Sequence, residues 1–207
     1  MSTDHSPGRQ PFTVEKVTLR GERVRLEPLD ADRHRAGLEA AIADGDLAAL
    51  WVTTVPGPER LERFLAAAEA AFAAGHELAF ATLDAASGRV LGSTRFMAIE
   101  AAHRRVEIGS TFLAASCQRT HVNSEAKLLM LAHAFDAWGV NRVELLTDVL
   151  NERSRAAIVR IGASQEGVLR AHKLMPDGRI RDSAIYSITR PEWPGVQAAL
   201  RDRLRRS

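Results

Sequence analysis

The chain has 207 residues, 45% of them hydrophobic and 26% charged, enough for one well-buried domain and ordinary for a folded soluble protein. Its formal charge of +2 is too small to specify a nucleic-acid or membrane partner, although arginines cluster in the closing "LRDRLRRS". No apolar run approaches the roughly 20 residues that span a bilayer, and the lone Cys117 excludes an internal disulfide and offers no metal-ligand spacing.

Residues 1–16, "MSTDHSPGRQPFTVEK", lack the apolar centre of a secretory signal and read as a flexible tail, so a cytoplasmic location is expected. Residues 17–207 read as a single domain. "GERVRLEPLD" alternates apolar and charged residues as a strand does, and "DADRHRAGLEAAIAD" follows with helical spacing and an acidic start. A second helix, "GPERLERFLAAAEAAFAAGH", is opened by Pro58 and closed by Gly75. "ELAFATLD", "RVLGSTRFMAIE" and "RRVEIGSTFLA" are expected strands, joined by the turns "AASGR" and "AAHR".

The helix "SEAKLLMLAHAFDAW" follows, with a buried stripe of Leu128, Leu131, Ala132 and Phe135, and ends at Gly139. "NRVELLTDV" is a strand and "NERSRAAIVRI" a short helix stopped by Gly162. Two strands, "QEGVLRAHKLM" and "DSAIYSIT", meet at the turn "PDGR", and "PEWPGVQAALRDRLRR" closes the chain as a surface helix. A meander of strands leading into one β-α-β crossover predicts an α/β (α+β) domain with a mixed sheet flanked by helices.

One junction carries chemistry. A strand feeding the polar run "CQRTHVNSEAK" and then a helix is an anion cradle, because unpaired amides and the helix dipole point outward there. The amides run from Gln118 to Ser124. The plainer reading of the same run is an ordinary strand-to-helix loop capped by Asn123 or Ser124.

"VEIGSTFL", "QRTHVNSEAK" and "NERSRAAIVRIGASQEGVLR", with "PDGRIRDSAIYSI" and "EWPGV", resemble the GCN5-related N-acetyltransferase (GNAT) superfamily, nearest its ribosomal-protein-alanine N-acetyltransferase branch. The resemblance runs from Leu19 to Val196. It implies a mostly antiparallel central sheet in which two parallel strands splay apart to admit acetyl-CoA, without a metal. By that analogy the backbone of Thr111, Phe112 and Leu113 holds the pantetheine arm as an added strand would. The pyrophosphate loop falls on Gln118, Arg119, Thr120, His121, Val122 and Asn123. Asn151 matches an asparagine that bonds the cofactor arm, and Ser154 a position near the thioester sulfur. The resemblance also implies a homodimer.

His121 stands where the superfamily loop has glycine. Three readings stay open: its side chain faces solvent while its amide binds phosphate, its imidazole binds the phosphate, or the cradle serves another acyl donor such as an aminoacyl-tRNA. A binding module that takes acyl-CoA without turnover is the reading outside catalysis. Acyl transfer to a small-molecule or peptide amine needs a proton acceptor and a stabilised leaving thiolate. Glu107 is the first choice of base, unless it merely pairs with Arg104 or Arg105, and Asp148 is the reserve. Ser154 is the expected donor to the thiolate. Tyr186 comes too late in the chain for that role. Trp51, Trp138 and Trp193 read as packing, and the dispersed histidines share no ligand spacing.

Overall fold

The computed structural model describes residues 12–45 and 47–206. Most of the tail expected over residues 1–16 therefore lies outside the described residues. From Phe12 the chain is laid on the domain: the Phe12 ring stacks on Trp138 at 4.8 Å and Lys16 pairs with Glu69 at 2.8 Å.

A two-residue strand β1 (Leu19–Arg20) and β2 (Val24–Pro28) lead to α1 (Ala31–Ala43), whose first turn is capped by Asp30 accepting from the Arg33 amide. Helix α2 (Pro58–Ala73) starts on Pro58, where the missing N–H has no intrahelical role. Strands β3 (Leu78–Asp84), β4 (Val90–Glu100) and β5 (Arg105–Leu113) form the meander. Then come α3 (His121–Ala132), β6 (Arg142–Asp148), α4 (Glu152–Arg160), β7 (Ser164–Leu174), β8 (Ile180–Thr189) and α5 (Trp193–Arg205).

The strands make one eight-stranded sheet in the order β1-β2-β3-β4-β5-β6-β8-β7. All neighbours are antiparallel except β5 and β6. That parallel pair is short: Arg105, Val106 and Glu107 oppose Arg142, Val143 and Glu144, and the ladder stops there. Beyond Glu107 strand β5 bends away, because a bulge at Ser110, with φ +47°, interrupts its register with β4. The two strands cross closely at Gly92, where a Cβ would lie 2.1 Å from the Phe112 carbonyl oxygen, so no side chain fits.

Each sheet face carries its own core. Val106, Ile108, Phe96, Val143 and Leu145 pack with Met130, Leu131 and Phe135 from the α3 side. Phe112, Ala79 and Ala81 pack with Leu38, Leu61 and Leu65 from α1 and α2. A fully buried leucine or phenylalanine contributes about 1.5–3 kcal/mol, so these two layers dominate the stability.

Helix α3 differs from the expectation in three ways. It begins at His121, three residues before Ser124, and Thr120 supplies its cap in place of Asn123 or Ser124. It ends in a π-helical turn, His133–Ala137, where His133 and Trp138 close around Phe96 at 6.1 and 4.6 Å. Its buried face is also wider than one stripe: Leu131 and Phe135 are buried, Leu128 and Ala132 only partly, and Val122, Ala126 and Met130 complete it. The cause is double coverage, since α3 is held between the sheet and α5.

Candidate active site

Past Glu107 and Glu144 strands β5 and β6 no longer pair, although they run on to Leu113 and Asp148. First-turn amides of a helix have no intrahelical acceptors. In α3 one of them, Val122 N–H, is taken by Thr120 Oγ1 at 3.3 Å, while the Thr120 hydroxyl donates to the Cys117 carbonyl at 2.7 Å. His121 is thus the first helical residue. The left-handed conformation in this loop belongs to Arg119, at φ +60°. His121, which stands where the superfamily loop has glycine, does not adopt a positive φ. Thr120→Ala removes the cap and is expected to cost about 1 kcal/mol, read as a lower urea midpoint.

An open depression of ≈ 470 Å³ faces this helix start, lined by Arg119, Thr120, His121, Ser124, Arg160 and Arg203. Three guanidiniums and a helix N-terminus make it a basin for anionic groups. Arg160 ends α4 and Arg203 lies in α5, so only folding brings them to the loop, and no local motif announces either.

Gln118 does not open the row of unpaired amides as expected: its N–H donates to the Ala115 carbonyl at 3.1 Å, and its side-chain Nε2 donates to the Leu113 carbonyl at 3.0 Å, tying the loop to the end of β5. Phe112 and Leu113 are buried, and the Thr111 hydroxyl lies 2.7 Å from that of Thr94. Asn151 caps α4, its Oδ1 accepting from the Ser154 amide at 3.0 Å, which leaves the Asn151 Nδ2 as its free donor end. Ser154 therefore stands in the first turn of α4.

Glu107 lies on the α2 face of β5, since Val106 and Ile108 on either side point into the α3 core. It has not joined Arg104 or Arg105. Arg105 pairs with Glu100 and Glu144, Arg104 donates to the Gly139 carbonyl, and among the described residues no cation lies within ion-pair distance of Glu107. Burial pushes its carboxyl above the ordinary range, against a downward pull from Lys173 and Arg181. Asp148, the reserve base, is fully buried and occupied: Oδ1 accepts from the Leu150 amide and Oδ2 from Arg179 at 2.6 Å. Tyr186 is buried, with its hydroxyl accepting from Arg155 at 3.2 Å.

Two further expectations are revised or extended. Trp138 and Trp193 are core residues, but Trp51 is 59% exposed, with the Arg179 guanidinium over its ring at 5.0 Å. Lys127 went unnoticed in the sequence. It is buried in α3, and its Nζ donates to Thr111 Oγ1 at 2.8 Å and Thr94 Oγ1 at 3.0 Å. Burial alone pulls its pKa down to about 7. Its spacing of four from Leu131 and seven from Ala134 put it in the apolar stripe, a signal readable from the sequence.

Among the described residues no group of His, Cys, Asp and Glu could hold a metal, and no helix is long and apolar enough to cross a membrane. Comparison with known proteins agrees with this architecture. The model of a family described as acetyltransferase (GNAT) domain matches residues 23–164. The uncharacterized N-acetyltransferase YoaA of Bacillus subtilis (strain 168) is 30% identical over 102 residues, which are 49% of this chain and 56% of that protein. The chain thus spans little more than half the length of the curated relatives it matches. A GCN5-related N-acetyltransferase from Brucella melitensis has a TM-score of 0.82 at 33% identity, covering 93% of this chain and 87% of that one. RimJ of Mycobacterium smegmatis, solved in complex with CoA-disulfide, shares the fold with a TM-score of 0.72 at 24% identity, over 86% of this chain and 87% of its own. With the family model matching well over half of its length, the chain belongs to the acetyltransferase (GNAT) domain family.

Proposed function

We propose that residues 17–207 form one cytoplasmic domain that moves an acetyl group from acetyl-CoA to a primary amine, either a small molecule or a peptide N-terminus. The observation that carries this reading is the early end of the β5–β6 ladder at Glu107 and Glu144, beside a helix start ringed by Arg119, Arg160 and Arg203. A gap in a sheet leaves backbone groups ready to pair with an extended arm, and the arginine basin suits the diphosphate at that arm's other end. A relative of this fold holding CoA-disulfide supports the same fit.

Acetyl-CoA supplies a thioester carbonyl carbon, to which the amine nitrogen bonds as the carbon–sulfur bond breaks. The chain's part is to orient and to move protons. Thr111 to Leu113 present backbone to the arm, with Gln118 fixing the Leu113 carbonyl rather than touching the ligand. His121, Asn123 and Ser124 bring the first turn of α3 to the phosphates, with the Val122 amide held by the Thr120 cap, and Asn151 offers Nδ2 to the arm. Glu107 takes the proton that the amine loses, and the Ser154 hydroxyl donates to the departing sulfur. Holding amine and carbonyl together supplies much of the remaining acceleration.

Acetyl-CoA at 100 times its dissociation constant should stabilise the protein by about 2.7 kcal/mol, a rise of roughly 5–10 °C in Tm. Thiol release should require an added amine. Arg160→Ala combined with Arg203→Ala should shrink the thermal shift at the same concentration. Stabilisation by charged tRNA but not by acetyl-CoA would overturn this reading.

A further inference from the structure

The α2 face of the sheet carries two cations that form no ion pair among the described residues. Lys173 of β7 and Arg181 of β8 stand directly opposite one another in the antiparallel register. Like charges so placed repel, yet among the described residues neither has a carboxylate within ion-pair distance. Both act electrostatically on Glu107. Arg181 is half-buried, with an Nε that meets no acceptor.

A second observation comes from β4. Arg95 is 7% exposed, and one nitrogen, Nη1, donates to Glu77 at 2.7 Å. Its guanidinium lies over the Phe64 ring at 4.6 Å, and its Nε and Nη2 are buried without a hydrogen-bond acceptor. Arg95 lies across the ladder from Gly109, two residues from Glu107 on the same face. A Cβ on Gly109 would lie 2.9 Å from Glu107 Oε1 and 2.9 Å from the Met97 sulfur. The Glu107 carboxylate and the Met97 sulfur therefore lean over Gly109, and a side chain there would push one of them aside. Glu107 without an ion-pair partner, with Lys173 and Arg181 near it and likewise without one among the described residues, is an arrangement that a zwitterion completes.

We infer that the acceptor is an anionic amine, an amino-acid-like molecule whose carboxylate or equivalent acid is read by Arg181 and Lys173, with Arg95 at the inner wall, while its nitrogen faces Glu107. The inference rests on the acetyl-transfer reading and narrows its acceptor. No bond changes at the anionic end. Arg181 and Lys173 determine specificity, and the proton still moves from nitrogen to Glu107.

The test is steady-state thiol release from acetyl-CoA with matched acceptors: amino acids of different chain length against their carboxamides, and short peptides with an acidic or a neutral second residue. The acidic member of a pair should have a kcat/KM at least tenfold higher. Arg181→Met should collapse that ratio through KM, and Arg181→Lys should restore most of it. Should Arg181→Met fail to fold, Lys173→Met should reduce the ratio in the same direction. Equal kcat/KM within every pair overturns this inference and leaves acetyl transfer standing. Absence of thiol release with every amine overturns both. A preference that survives Arg181→Met and Lys173→Met alike also overturns it.

Discussion

Glu107→Gln is expected to lower turnover by roughly 10²–10⁴-fold, the usual worth of a positioned general base, and at the same time to make the protein more stable near pH 7. The two halves follow from one fact. Burial raises the Glu107 carboxyl above its ordinary pKa, because the ionised form has partly left water without gaining an ion pair. A group whose folded pKa exceeds its unfolded one binds its proton more tightly in the native state. Stability is then highest below the unfolded value and falls as pH rises through the folded one. Glutamine carries no such charge, so the variant's urea midpoint should exceed that of the wild type at pH 7 and converge with it at pH 4. The acid limb of the kcat/KM profile assigned to this carboxyl should vanish with it. Activity within twofold of wild type, or a lower midpoint at pH 7, would show that Glu107 is structural.

Much of this molecule was legible before its coordinates. Strands with alternating patterns, such as "RVEIG", and helices announced by Asp30 or Pro58 appear where local chemistry places them. The start of α3 was displaced for a definite reason. Thr120 and Asn123 are both good capping residues, and the deciding bond, from the Thr120 hydroxyl to the Cys117 carbonyl, depends on how the preceding turn folds. Ser110 shows the same limit. Nothing in "EIGSTFL" reports that the chain turns left-handed there, since the bulge answers to the register of β4. The site itself divides along this line. Residues contiguous in "QRTHVNSEAK" and "NERS" were visible as motifs, whereas Arg95, Arg160, Arg181 and Arg203 come from four separate elements and acquire meaning only when the sheet and α5 bring them in.

Lys127 sets up the sharpest trade between stability and function. Its amine bonds to Thr94 and Thr111 and, among the described residues, pairs with no carboxylate, and burial draws its pKa from 10.5 to about 7. Here the native state binds fewer protons than the unfolded chain between pH 7 and 10.5. Stability attached to this group is therefore full above the unfolded value and is lost as pH falls toward the folded one. At about 1.4 kcal/mol per tenfold, that span corresponds to roughly 5 kcal/mol, an upper figure that water penetration and relaxation reduce. Lys127→Met keeps the volume and removes the titration. Its loss of two hydrogen bonds costs about 1 kcal/mol each at most, because Thr94 and Thr111 still pair with each other at 2.7 Å. Urea midpoints at pH 6, 8 and 10 should therefore show the variant ahead by several kcal/mol at pH 6, with the gap closing or reversing by pH 10. Parallel curves would refute a neutral buried amine. A lysine that weakens the fold at neutral pH needs a compensating role, and among the described residues the groups it grips are two hydroxyls that pin the β5 bulge next to Thr111. Turnover by Lys127→Met should accordingly fall about tenfold despite the gain in stability, because the strand that faces the gap loses the donor fixing its bend.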